Sequence, residues 1–252
     1  LAVHERYHDS ALTCQMYAVF GVYHYMCNPL RESIPLLRRA IQSGLETGDT
    51  TYTSMATNIL STSRLGLGDE LGAVAEEIDR FHALMQRIHD RLTIPLLTIT
   101  RQAIRCLTGR TRGPYTFDDE HFDEVAFLAE SPGPSAMQRE YYYHVARTQV
   151  LYLLGDFAGA LAMAGRAEAL GNGALAVYYS AELPFYALLV RSAAFPAATP
   201  AAREELLAAM ERNLERIAAL AVDCPANFEH QRLLGAAELA RRRGRDDEAV
   251  GL

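Results

Sequence analysis

Helix-breaking residues recur along this chain at a nearly constant interval, and the interval constrains the fold more than any other sequence feature. Gly and Pro clusters separate stretches whose apolar residues have the three-to-four-residue spacing of amphipathic helices. The stripe that follows Thr199-Pro200 shows this spacing at Leu206, Met210, Leu214, Ile217 and Ala221. Every second breaker lies near residues 28, 67, 112, 155, 198 and 244, so the pattern repeats about every 43 residues. The sequence therefore predicts an all-α solenoid of about six stacked helical hairpins.

About twelve helices fit between the breakers, and no stretch has the strict alternation of a β-strand. The predicted spans are 9–25, 31–45, 49–65, 69–90, 92–109, 117–130, 135–154, 157–170, 174–195, 200–221, 225–243 and a last helix from 246. The predicted core comprises Leu36, Leu37, Ile41, Ile78, Phe81, Leu151, Leu154, Leu161, Leu206, Met210, Leu214, Ile217, Leu233 and Leu234.

The hairpin at Gly155-Asp156 is typical of a tetratricopeptide repeat (TPR). Gly and Asp form the tight turn between the two helices, and the small residues Ala160, Ala164 and Ala167 let the second helix pack closely. The TPR period is about 34 residues, so the predicted hairpins have longer helices than a standard TPR. We interpret residues 1–252 as a single TPR-like helical repeat domain that belongs to a larger multidomain protein.

Composition excludes several classes of enzyme, because all 24 basic residues are Arg and the chain contains no Lys. A Walker A loop, a protein-kinase ATP site, a pyridoxal Schiff base and a Ser-x-x-Lys acylase each need a Lys. The net charge of −7 argues against a nucleic-acid partner held mainly by phosphate contacts. We expect no cofactor.

The sequence also indicates a cytoplasmic setting. Four widely spaced cysteines without a Cys-x-x-Cys pair indicate reduced thiols, and the charged residues 1–10 do not form a signal peptide. The longest apolar stretch, 174–190, is interrupted by Glu182 and Pro184, so we expect no membrane insertion.

Several segments together resemble one family of large bacterial and fungal signalling proteins. They are Pro29-Leu30-Arg31-Glu32, Gly44-Leu45-Glu46-Thr47-Gly48-Asp49, Phe122-Asp123-Glu124, Leu153-Leu154-Gly155-Asp156-Phe157 with Ala160-Leu161, Asp223-Cys224-Pro225-Ala226-Asn227-Phe228-Glu229-His230 and Ala237-Glu238-Leu239-Ala240-Arg241. The chain looks like the TPR-like helical region of proteins that combine a Ser/Thr-kinase-like domain, an AAA/STAND ATPase, a GAF domain and a histidine kinase. The family usually has a Trp before the Pro-x-Asn-Phe block, whereas this chain has no Trp.

The resemblance implies a non-enzymatic regulatory and protein-interaction solenoid that couples an ATPase or kinase-like module to an output domain. Its partners would be neighbouring domains of the same polypeptide or a signalling partner. An alternative is a sensor arm that binds a peptide or small ligand in the concave groove. Each hairpin buries its apolar stripe only by stacking, so the ends of the array are also expected to favour self-association.

A remote alternative is a zinc hydrolase, because His4-Glu5-Arg6-Tyr7-His8 matches the H-E-x-x-H pattern. On a helix, His4 and His8 share one face and could bind Zn²⁺, with Glu5 as the general base. No further His follows at the metzincin position, where Cys14 stands. We therefore favour a polar helix start over a metal site.

A basic cluster that includes Arg101 and Arg105 is a candidate binding patch, because the two side chains share a helix face without an acidic residue between them. One interpretation is a patch for a phosphate or an acidic partner surface. The other is that the cluster faces the acidic residues at 118–124 within one hairpin.

Three residues before the Gly155-Asp156 turn are candidates for ligand binding. If the turn is TPR-like, Tyr142, Gln149 and Tyr152 line the concave surface, where aromatic and amide side chains commonly bind peptides. The alternative for the tyrosines is core filling, because Tyr is also a common half-buried residue.

Overall fold

The computed structural model describes residues 10–129, 134–171 and 178–252, and in these ranges it contains twelve α-helices and no strand. The all-α prediction is confirmed. The chain divides into two compact units, the N-terminal unit (residues 1–108) and the C-terminal unit (residues 109–252). Within the described ranges, no helix combines the length and the apolar character that a membrane span requires.

Five helices form the described part of the N-terminal unit, and each packs against the next. They are α1 (Ser10–Tyr23), α2 (Ser33–Thr47), α3 (Thr50–Gly66), α4 (Leu71–Arg87) and α5 (Thr93–Leu107). In addition, α1 packs against α3 and α3 against α5. The unit is therefore a run of helical hairpins in which the alternate helices α1, α3 and α5 form a layer.

The C-terminal unit repeats this arrangement. Its helices are α6 (Glu124–Ala129), α7 (Pro134–Leu154), α8 (Phe157–Ala169), α9 (Tyr178–Ala194), α10 (Pro200–Asp223), α11 (Pro225–Arg242) and α12 (Asp246–Gly251). From α7 onward each helix packs against the next, α7 packs against α9, and α9 packs against α11. Consecutive packing of hairpins in both units agrees with the predicted α-solenoid class.

The same two-residue device makes one hairpin turn in each unit. Gly155 ends α7 in the left-handed region (φ +87°), and Asp156 begins α8 because its Oδ1 accepts the Gly159 N–H at 3.0 Å. In the N-terminal unit, Gly48 (φ +77°) and Asp49 make the corresponding turn before α3. A Gly-Asp pair at these positions both stops one helix and caps the next.

The predicted helix over 117–130 is wrong in its first half, because α6 covers only Glu124–Ala129. The Glu124 carboxylate accepts hydrogen bonds from the Thr116 hydroxyl and the Phe117 N–H, each at 2.6 Å, and Asp118 Oδ1 accepts the Glu124 N–H. Acidic side chains that bond nearby backbone N–H groups offer the chain an alternative to the helix. The residues before Glu124 are therefore a loop held together by these carboxylates.

Most of the predicted core is buried or half-buried, and Leu234 is the exception. Its side chain is 46% exposed, whereas its neighbour Leu233 is half-buried and Met210 and Ile217 are fully buried. Adjacent residues on a helix point about 100° apart, so one Leu of the pair is half-buried while the other turns outward.

Candidate functional site

The first helices of the hairpins in the C-terminal unit, α7, α9 and α11, form what we call the first-helix layer. Helix α9 lies between the other two, which is why nearly all of its residues are buried or half-buried. The second helices, α8 and α10, make at most a marginal contact with each other in the described part of the chain. In helical-repeat proteins such a layer provides an extended binding surface.

A buried carboxylate links the three helices of this layer. Glu182, in the middle of α9, accepts a hydrogen bond from Gln149 Nε2 of α7 at 3.1 Å and another from Gln231 Nε2 of α11 at 2.9 Å. A third comes from Tyr178, one turn earlier on α9. Glu182 is only 4% exposed, and within the described ranges no Arg or His lies within ion-pair distance of it. Its carboxyl group is thus surrounded by neutral donors.

Burial raises the pKa of the Glu182 carboxyl above its ordinary value of 4.5, and the hydrogen bonds from Tyr178, Gln231 and Gln149 offset only part of this increase. The folded state therefore holds a proton on Glu182 at pH values where the unfolded chain has released it. The contribution of Glu182 to stability is largest below pH 4.5 and falls as the pH rises toward the raised pKa.

This sign can be tested with the variant Glu182→Gln, which does not titrate. We expect the wild type to lose stability relative to the variant as the pH rises from 4.5, by at most about 1.4 kcal/mol per pH unit. Urea denaturation at several pH values measures the difference. The control is Glu229→Gln: because Arg232 lowers the pKa of Glu229, its difference from the wild type should change only below pH 4.5, in the opposite direction, and stay constant above pH 4.5. A difference for Glu182→Gln that does not vary with pH would contradict the assignment.

Four aromatic side chains form a continuous strip on the first-helix layer and the start of α8. Along this aromatic strip the ring centroids are 5.7 Å apart between Phe157 and Tyr152, 6.0 Å between Tyr152 and Tyr186, and 5.4 Å between Tyr186 and Phe185. Phe157 is 40% exposed, and the other three rings are half-buried. Tyr152 and Phe185 also pack against the apolar core of the unit, so the strip presents only part of its aromatic surface to solvent, most of all at Phe157.

Charged residues of α11 lie beside the strip. Burial raises the pKa of the Tyr152 hydroxyl, the Glu238 carboxylate raises it further, and the Arg241 guanidinium opposes both effects. Arg241 donates to Glu238 at 2.5 Å. An aromatic surface with a polar, charged border is typical of a protein-interaction site.

The structure separates the three residues that the sequence analysis assigned to the concave surface. The prediction that Tyr142 lines the concave surface is wrong, because its side chain is fully buried and its ring packs edge-on against Tyr179, with the ring centroids 5.1 Å apart. Gln149 is half-buried and its amide is used by Glu182. Tyr152 belongs to the aromatic strip. The α7 face that carries Tyr142 and Gln149 packs against α9 instead of facing solvent, which explains the difference.

Arg101 of the basic cluster forms an ion pair within the N-terminal unit. Its Nε donates to Asp79 Oδ1 at 2.8 Å, which links α5 to α4 inside the N-terminal unit. Arg105 is half-buried on the same helix. These contacts stabilise a hairpin, and the acidic residues are engaged with their own loop.

The zinc alternative falls on His4, Glu5 and His8, which lie outside the described residues. Across the described ranges, no group of three or more His, Cys, Asp or Glu side chains is arranged to hold a metal ion.

Sequence reasoning missed two polar clusters. One is the Glu182 network, whose signal is a single acidic residue inside the otherwise apolar run of α9. The other lies in the N-terminal unit, where Glu77 of α4 accepts hydrogen bonds from Arg38 and Arg64, each at 2.8 Å. No sequence pattern marks that cluster, because its members come from three helices.

No family profile, no curated protein and no solved structure matches this chain.

Proposed function

We propose that this chain is a non-enzymatic regulatory and protein-interaction module, and that its C-terminal unit binds a protein segment across the first-helix layer. The observation that carries the proposal is the aromatic strip, where Tyr152 and Phe157 combine partial exposure with a charged border on α11. A few residues carry most of the binding energy of a protein interface, and Tyr is enriched among them. The order of helix packing supports it as well, because solenoids bind partners through such layers.

A peptide selection tests this proposal, because it isolates segments that bind the chain and then locates the surface that holds them. A phage library of random twelve-residue peptides is selected on the wild-type chain, and enriched peptides are titrated against variants by fluorescence anisotropy. We expect Tyr152→Ala to weaken binding by about 30-fold, the effect of removing an interface hot spot. The matched control is Tyr115→Ala, because Tyr115 is an exposed Tyr of the same unit that lies outside the aromatic strip.

Two results would contradict the proposal. If Tyr152→Ala binds the enriched peptides as tightly as the wild type, the aromatic strip is not the binding surface. If the library yields no saturable binder, the proposal of a peptide partner fails. Circular dichroism of both variants checks that loss of binding does not reflect unfolding.

We also propose that the module transmits a signal between neighbouring domains, as its sequence resemblance implies. We further propose that it does so in the cytoplasm. Small rotations between successive hairpins would add up and move the ends of the array. None of the four cysteines, which all lie in the described ranges, forms a disulfide, and this supports a reducing compartment. Replacement of residues 1–252 by an inert linker of equal span within the longer polypeptide is expected to abolish regulation of the output domain. Unchanged regulation would refute the coupling role.

A further inference from the structure

A second surface of the C-terminal unit carries an excess of positive charge around a cavity. The cavity has a volume of about 220 Å³ and lies among α8, α9 and α10. It is lined by Glu168, Arg191, Ala209, Arg212, Asn213 and Arg216. Three guanidinium groups and one carboxylate therefore surround the same space, and none of these residues belongs to the aromatic strip.

The single carboxylate is already committed to one of the three arginines. Arg191 is 8% exposed, and it donates to Glu168 Oε2 and to the Ala187 carbonyl of its own helix. The other Glu168 oxygen accepts the Asn213 amide at 3.5 Å. Glu168 thus neutralises Arg191, and in the described part of the chain the two remaining arginines of the cavity, which are exposed to solvent, form no ion pair.

Arg212 and Arg216 lie one turn apart on the same face of α10, and both line the cavity. Like charges at this spacing repel each other and destabilise a helix slightly. Within the part of the chain that the structure describes, neither guanidinium is within ion-pair distance of a carboxylate. An anion between them would relieve the repulsion.

Asn213 adds a neutral donor to the cavity wall. Its side chain is 2% exposed, and only one of the two amide hydrogens is used, in a bond at the limit of hydrogen-bond length. A buried amide with a hydrogen to spare, next to two guanidinium groups, matches the donors that a tetrahedral oxyanion requires.

We propose that this cavity binds a phosphate group, held mainly by Arg212 and Arg216 with Asn213 as a neutral donor. Two uncompensated guanidinium groups match the charge of a phosphomonoester, which is close to −2 above pH 7. A monocarboxylate would leave one of them unneutralised. The volume is below the range of about 300–1,000 Å³ for pockets that enclose drug-sized ligands, so the bound part of the ligand is small.

Titration calorimetry with inorganic phosphate, at constant ionic strength and pH 7.5, tests the site on the full chain. We expect saturable binding that weakens about tenfold in Arg212→Gln and in Arg216→Gln and is lost in the double variant. The matched control is Arg245→Gln, which removes the same charge from an Arg of the C-terminal unit that is paired with Glu248 outside the cavity. Its affinity should stay within about twofold of the wild type.

Two further probes distinguish the source of the phosphate. Tighter binding of a phosphoserine peptide than of inorganic phosphate indicates a phosphorylated side chain, and tighter binding of a small sugar phosphate indicates a free metabolite. The proposal is overturned if inorganic phosphate does not bind saturably, or if the cavity variants bind it as tightly as Arg245→Gln does. Circular dichroism of each variant checks that it is folded.

Discussion

Replacement of Tyr142 by Ala is expected to lower the free energy of unfolding of the C-terminal unit by about 3–5 kcal/mol. The side chain is fully buried between α7 and α9, and its ring packs against Tyr179. Removing it leaves a cavity the size of an aromatic ring, and the helices on both sides can close this space only in part. Chemical denaturation followed by circular dichroism measures the loss, and hydrogen exchange assigns it to α7 and α9.

Two controls isolate the contribution of the buried ring. Tyr142→Phe keeps the ring and is expected to cost about 1 kcal/mol. Tyr115→Ala removes the same side chain from an exposed position and should stay within about 0.5 kcal/mol of the wild type. If Tyr142→Ala were as stable as Tyr115→Ala, Tyr142 would not belong to the core. The prediction that Tyr142 binds a ligand at the surface would then have to be reconsidered. The expected instability also makes Tyr152 the better residue for testing the binding surface.

The sequence was sufficient to predict the helices and most turns, because these depend on local signals. Gly155 and Asp156 stop one helix and cap the next through atoms within a few residues of each other. The loop before Glu124 escaped the prediction because its acidic residues look like a favourable first helical turn. Only the structure shows that Glu124 and Asp118 bond the loop backbone instead.

The candidate site was harder to predict, because the sequence does not reveal which faces of a helix are covered. Four consecutive residues of α7, Tyr141, Tyr142, Tyr143 and His144, are all buried. A helix with neighbours on several sides loses the simple division into an apolar and a polar face. Of the three residues expected on the surface, only Tyr152 joins the aromatic strip, since α9 covers the face with Tyr142 and Gln149.

The buried charges were not predictable at all, because their partners are distant in sequence. Glu182 depends on Gln149 and Gln231, which come from the preceding and the following hairpin. Glu77 likewise depends on residues of other helices, Arg38 of α2 and Arg64 of α3, both of which precede it in the chain. In both units a carboxylate of one helix bonds to two others, so polar contacts as well as apolar stacking hold successive hairpins in register.

Glu77→Ala is therefore expected to lower the free energy of unfolding of the N-terminal unit by about 3 kcal/mol. The Glu77 carboxylate is 7% exposed and joins Arg38 of α2 to Arg64 of α3, while Arg64 also donates to Asp69 at 2.8 Å. Arg64 is largely buried, and removing Glu77 leaves it with one acidic partner, Asp69, instead of two. The expected cost lies near the low end of the range for broken buried pairs, because Asp69 remains and Arg38 is half-exposed.

The neighbouring residue provides the control, because Glu76 is an exposed acidic residue on the same turn of α4. Glu76→Ala removes the same charge and should change the free energy of unfolding by no more than about 0.5 kcal/mol.

Hydrogen exchange should show faster opening of α2, α3 and α4 in Glu77→Ala, and of α7 and α9 in Tyr142→Ala. Equal stability of the Glu76 and Glu77 variants would mean that apolar stacking alone holds these hairpins together. A selective loss in Glu77→Ala would mean that the ion pairs contribute to the stability of the packing between these helices.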